Sequence, residues 1–153
     1  ILVELRALQK ERQSIQQKIK QAKRDNKTLL AELTESSQTL DYQSEIFKNL
    51  ADSIAWQMLN GQHYFYRRLF THDVGEKNLN DKSFEYVIDF ANRINENRDS
   101  FCLLTDITNN IQLGDCLIVD KEGIKVSEIK SGKRNLEALE LIEKEKLDED
   151  NLD

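Results

Sequence analysis

Cysteine, glycine and proline are scarce in this chain, and each scarcity excludes something. Cys102 and Cys116 are the only cysteines. Both lie in apolar stretches that read as strands, so buried free thiols in a reducing compartment are expected rather than a disulfide or a zinc site. The 5 glycines supply no phosphate-cradling loop. A serine or cysteine triad and a cysteine–histidine zinc spacing are also missing. His63 and His72 have no partner at metal-ligand spacing and are read as structural. Proline is absent altogether, so segment ends must be read from glycines and polar clusters. No apolar run reaches membrane length and no secretory leader is visible, so a cytoplasmic location away from membranes is expected. The first residue is Ile1 rather than methionine, which leaves upstream sequence open.

Charge, by contrast, is plentiful. Of 153 residues 33% are charged and the formal net charge is −6, which excludes a uniformly basic nucleic-acid wrapper. A local basic site remains compatible, because the acid is concentrated between Glu137 and Asp153 while the stretch up to Leu33 is net basic. The length suits one modest domain plus an extended element.

The extended element comes first. Ile1, Leu5, Leu8, Ile15, Ile19, Ala22, Leu29 and Leu33 follow heptad spacing, with Arg12 and Asn26 at the two remaining seam positions. This predicts a long helix acting as a coiled-coil assembly arm over residues 1–43. Its partner, engaged through residues 1–33, is a second copy, another protein or an upstream helix. The basic exterior of the arm is read as a solvated surface. Thr34 to Thr39 is a polar break, either a loop or a frayed continuation, and Ser44 to Asn60 reads as an amphipathic helix ended by Gly61.

Residues 44–153 are expected to form one α/β (α+β) domain. Tyr64, Phe65, Tyr66, Arg67 and Arg68 are residue types that stack on bases and hold phosphates. They also suit a core wall with snorkelling arginines. His72 to Asp81 reads as a linker, and Asp81 or Ser83 caps a helix whose stripe is Phe84, Val87, Ile88, Ala91 and Ile94. Phe101 to Thr105 is the first strand. Asn135 to Leu147 reads as a helix lying on the sheet, and 148–153 as an acidic disordered tail.

The chemistry-bearing segment runs from Gly114 to Gly132. Asp115 opens an apolar strand, and Glu128-Ile129-Lys130 closes the next. Glu128 and Lys130 share a face because strand side chains alternate. With a loop of two or four residues, Val119 faces Ile124, Leu117 faces Val126 and Asp115 lands opposite Glu128, about 4.5–5.5 Å apart at Cβ. A three-residue loop with Gly123 as a bulge puts Asp115 on the other face. Two carboxylates and a backbone carbonyl at Ile129 suit a hard divalent cation. Lys130 beside them would offer positive charge to a phosphoryl transition state. Gly114 and Gly132 are expected to leave the backbone uncrowded at the two ends of the site. Lys133 and Arg134 follow as phosphate contacts or as solvated helix-start residues.

Asp115 followed by Glu128-Ile129-Lys130 on adjacent strands resembles the PD-(D/E)xK, or restriction-endonuclease-like, nuclease superfamily. The resemblance covers residues 83 to 147. It implies a restriction-endonuclease-like core in which a small mixed sheet of about three strands is flanked by helices. It further implies magnesium, or manganese in its place, held by Asp115, Glu128 and the Ile129 carbonyl. Lys130 would then assist hydrolysis of a phosphodiester in DNA, ahead of RNA, in a restriction or defence assembly. Relatives often supply another acid from the helix before the strands. Glu85 and Asp89 lie off the apolar stripe, so that role is carried to neither, and Asp106 is read as a turn cap before a metal oxygen. Gly114 stands where the motif's proline would be. No final strand follows the second helix, which suggests a piece of a larger protein or a sheet completed by another segment. The rival reading is a non-catalytic coiled-coil scaffold capped by a degenerate nuclease-like domain.

Overall fold

The apolar seam that starts at Ile1 does form helix, but not one that runs to Leu33. A computed structural model describes residues 1–22, 26–60, 62 and 77–129. Helix α1 (Leu2–Gln21) stops at Ala22, whose extended backbone turns the chain. Helix α2 (Lys27–Met58) begins at Asn26, whose side chain accepts the Leu29 amide hydrogen at 3.2 Å. Such a cap contributes ~1 kcal/mol. Asn26, expected as a polar seam residue, is thus a helix start, and the heptad spacing carries across two helices that fold back on each other. Arg12, the other polar seam residue, pairs with Asp41 of α2 at 2.6 Å. The seam of α1 is met by α2 of the same chain, and Leu5 and Leu40 are buried.

Helix α2 is continuous through the polar stretch at Thr34 to Thr39. The hydroxyls of Thr34, Ser36 and Thr39 donate to carbonyls one turn back, at 2.7, 2.9 and 3.0 Å. These residues therefore satisfy themselves on the helix surface instead of diverting the backbone. Residue 43, the expected end of the arm, lies inside α2.

Helix α3 (Lys82–Asn95) is capped by Asp81, whose carboxylate accepts the Ser83 amide hydrogen at 3.2 Å. Phe84, Val87 and Ala91 are its buried stripe. At its far end the Asn95 side chain accepts from Cys102 N–H at 2.7 Å and donates to Cys102 O at 3.0 Å, which ties the helix to the first strand.

Strands β1 (Phe101–Leu104), β2 (Cys116–Asp120) and β3 (Gly123–Ser127) form a sheet in the order β1-β2-β3, antiparallel at both pairings. A mixed sheet was the expectation; the described part is antiparallel because its connections are too short for a parallel crossover. The β2–β3 turn is the two residues Lys121 and Glu122, with Asp120 paired to Gly123 at φ +124°. Val119 faces Ile124 and Leu117 faces Val126, the register expected for an even loop. Cys116, Leu117 and Ile118 of central β2 are buried, whereas Lys125 and Val126 on edge strand β3 are exposed.

One core joins all these elements. Leu5 of α1 and Ala51, Ala55 and Leu59 at the end of α2 belong to the same cluster as Phe84, Leu103 and Leu117. Between β1 and β2 a 3-10 turn (Thr105–Ile107) leads into a loop fixed from α2. There the Asp52 carboxylate accepts the Asn109 and Asn110 amide hydrogens at 3.2 and 3.1 Å. The fold is thus α+β, and no described helix is long and apolar enough to cross a membrane. The aromatic–arginine run and the segments read as a C-terminal helix and tail lie outside the described residues.

Candidate functional site

Asp115 is held from both sides, by the turn that follows β1 and by the end of β3. Its carbonyl accepts the Thr105 amide hydrogen at 3.0 Å, and its own amide donates to Ser127 O at 2.8 Å. The regular β2–β3 ladder ends at the pair Cys116 and Ser127, so the next pair would set Asp115 against Glu128. The hydrogen bonds slip by one residue instead. Asp115 Oδ2 accepts the Ile129 amide hydrogen at 2.7 Å, Ile129 lines the adjoining cleft, and Glu128 is exposed and not among the lining residues.

Gly114 explains the tight approach. It has φ +72°, and a Cβ built there would lie 2.6 Å from Val126 Cγ1 and 2.8 Å from Ser127 O. Gly114 was expected to leave room for a substrate strand; it lets β3 pack against the backbone before Asp115, with no space left over. The Thr105 hydroxyl donates to Gly114 O at 2.6 Å and holds this corner from the β1 side.

A second acid meets Asp115. Asp106, in the 3-10 turn, and Asp115 both contact Lys77: the ammonium Nζ is 2.9 Å from Asp106 Oδ1 and 3.0 Å from Asp115 Oδ1. The Asp106 side chain is only 9% exposed and that of Asp115 13%, while Lys77 is 46% exposed. Burial raises the Asp106 carboxyl above its ordinary value, with the Asp115 charge adding to the rise, against the lowering by Lys77. Burial also works against the Lys77 ammonium, but hydrogen bonds to Asp106 and Asp115 outweigh it and lift its pKa above the ordinary lysine value. These three residues, with Asn78, Asp81, Ser83, Phe84, Val87 and Ile129, line a cleft of about 310 Å³.

Lys77 arrives on a strap clamped to α1. The Gln9 side chain donates to Lys77 O at 2.9 Å and accepts the Leu79 amide hydrogen at 2.9 Å. Arg6 Nε donates to Leu79 O at 2.7 Å, and Arg6 also pairs with Glu85. Leu79 is buried beneath. The stretch read as a linker is therefore, from residue 77 on, a docked segment.

Lys77 carries no motif, and Asp106 fits a turn cap at the end of β1 as readily as a metal oxygen. The signal for Asp106 was the β1–β2 pairing: extended by one step, it sets Thr105 against Asp115 and puts Asp106 next in line. Lys77 had no such signal, being 38 positions from Asp115. Asp115 and Ile129 reach the cleft; Asp89 is exposed. Lys130, Lys133, Arg134, Arg67 and Arg68 lie outside the described residues.

Two of the side chains suit a divalent cation. Asp106 and Asp115 already converge on one positive charge, and magnesium commonly takes one or two protein carboxylates and completes its shell with water. Among the described residues no group of three or more His, Cys, Asp or Glu side chains gathers closely enough to hold a metal ion. Cys116 is no candidate nucleophile: its hydrogen bond to Cys102 and its burial push the thiol far up, so it stays protonated. No protein-family profile, no curated protein and no solved structure matches this chain.

Proposed function

We propose that this chain is a metal-dependent nuclease domain with a restriction-endonuclease-like core, hydrolysing phosphodiester bonds of nucleic acid, with DNA ahead of RNA. The observation that carries the reading is the β2–β3 register. It brings Asp115 and the segment Glu128-Ile129 out of the sheet at the same end, beside a cleft that also holds Asp106.

Asp115 and Asp106 are the residues to hold magnesium or manganese, with Glu128 and the Ile129 carbonyl assigned by the resemblance. A bound divalent ion supplies an acidified water and polarises the phosphoryl oxygen. The protein's own groups do the rest. Asp115 keeps the Ile129 backbone at the cleft edge through its Oδ2, and Asp106 supplies a second carboxylate oxygen. Lys130 brings positive charge to the phosphate in the transition state, and Lys133, Arg134, Arg67 and Arg68 are the candidate phosphate contacts. A place in a restriction or defence assembly is part of this proposal through the family resemblance alone.

The test is cleavage of single- and double-stranded DNA and RNA by the purified chain with magnesium or manganese. Lys130→Ala should abolish metal-dependent cleavage and leave the oligomeric state unchanged. The rival scaffold reading is favoured by the exposure of Glu128 and by Lys77 neutralising the acid pair. It prevails if no substrate is cut under any of these conditions.

A further inference from the structure

We infer that Lys77 is a built-in competitor for the cation site: its ammonium occupies the Asp106–Asp115 pair, and a divalent ion binds there only when that ammonium is displaced. The inference rests on the reading of Asp106 and Asp115 as cation ligands. Lys77 Nζ is within hydrogen-bonding distance of both carboxylates, at 2.9 and 3.0 Å. A divalent ion taking the same two oxygens would have to share them with the ammonium, and like charges held on one oxygen pair repel strongly in a partly desolvated cleft. The two cations therefore exclude each other. They also differ in chemistry, because an ammonium balances the carboxylates but cannot acidify water or polarise a phosphoryl oxygen. With Lys77 in place the acid pair is satisfied and inert.

The position of Lys77 is set from a distance. Gln9 grips both sides of residue 78, through Lys77 O and Leu79 N, while Arg6 holds Leu79 O. The Asn80 side-chain amide adds bonds to Arg6 O at 3.3 Å and Gln9 Oε1 at 3.1 Å. None of these contacts involves the carboxylates. Helix α1 thus acts as a clamp that raises the local concentration of one ammonium at the acid pair, the intramolecular advantage that any tethered ligand has over a free one. Loosening the clamp should weaken the competitor without altering the site's own ligands.

The measurement is manganese affinity of the full chain without nucleic acid, read by electron paramagnetic resonance of free Mn2+ or by calorimetry. Lys77→Gln should bind Mn2+ roughly tenfold more tightly than the unaltered chain, within the usual range for coupling between two ligands. Gln9→Ala should shift affinity in the same direction by less. The gain should vanish when Asp106→Asn and Asp115→Asn are added to Lys77→Gln. The inference is overturned if Lys77→Gln binds no tighter, binds no Mn2+ at all, or keeps its gain without the two aspartates. If circular dichroism shows Lys77→Gln unfolded, Gln9→Ala decides alone, and an unchanged affinity overturns it. Cleavage is not the readout: a chain that behaves as expected here yet cuts nothing defeats the nuclease reading and leaves the competition intact.

Discussion

The carboxylate of Asp115 accepts the amide hydrogen of Ile129 at 2.7 Å, across the point where the β2–β3 ladder slips. One residue therefore has two tasks: Oδ2 holds the backbone that follows β3, and Oδ1 holds a cation, here the Lys77 ammonium at 3.0 Å.

The two tasks separate by substitution. Asp115→Ala leaves the Ile129 amide and Lys77 without this partner and should destabilise the fold by about 1–3 kcal/mol. Asp115→Asn keeps an acceptor for Ile129 and should cost less than Asp115→Ala, yet lose Mn2+ affinity as fully. Denaturant unfolding and metal titration of the two variants check this.

Gly114→Ala should be more damaging than its size suggests. The added Cβ meets Val126 Cγ1 at 2.6 Å and Ser127 O at 2.8 Å, on a backbone with φ +72°. A loss of about 1–3 kcal/mol is expected from the strained backbone alone, and the clash adds to it. Thermal unfolding reads the loss, and faster amide exchange at Ser127 and Ile129 would locate it at the site.

Asp52 stabilises the site's outer loop from below. Asp52→Ala removes the acceptor for the Asn109 and Asn110 amides and for the Asn110 side chain at 2.7 Å. The expected cost is about 1–3 kcal/mol, with amide exchange rising at Asn109 and Asn110 before it rises in α3.

Acid titration carries a sign opposite to the usual one for an ion-paired carboxylate. Burial, the leading cause, holds Asp106 above its ordinary value of 3.8, so from about that pH up to the raised value the folded state binds more proton than the unfolded state. The contribution of Asp106 to stability is greatest below that window and declines as pH rises through it. Asp106→Asn should abolish this declining component in a comparison of stability against pH. Lys77, raised above 10.5, contributes fully below that pH and loses its contribution as pH rises through its own folded value. Lys77→Gln should remove that alkaline loss.

Much of the local structure could be read directly from residue order. With an even turn, one of the two turn geometries the residues allow, the apolar run Cys116 to Val119 and the alternating Gly123 to Ser127 imply the observed pairing of Val119 with Ile124 and of Leu117 with Val126. Strand parity admits no half-steps, so within the regular ladder one correct pair brings the others with it. The stripe of α3 and a cap at Asp81 or Ser83 were legible because 3.6-residue periodicity and a capping side chain are short-range facts; the structure puts the cap at Asp81.

The site itself was legible only in part. Asp115 was named from its strand position, but its slip away from Glu128 depends on how Gly114 closes against Val126 and Ser127, a contact with no trace in a two-strand alignment. Asn26 fitted the heptad, yet a side chain that can serve a seam can serve a cap, and the turn at Ala22 decided for the cap.

What the sequence determined by itself is what short-range geometry dictates: helix stripes, strand parity, and an acid at one end of a sheet. What only tertiary structure decided is which distant groups meet. The seam of α1 accepts any apolar ridge of suitable spacing, and folding put α2 there, which let Gln9 and Arg6 grip residues 77–80. That docking delivers Lys77 to Asp106 and Asp115. Hydrophobic burial is non-directional and does not name its partner, so the charge that fills the acid pair could be found only once the chain had closed on itself.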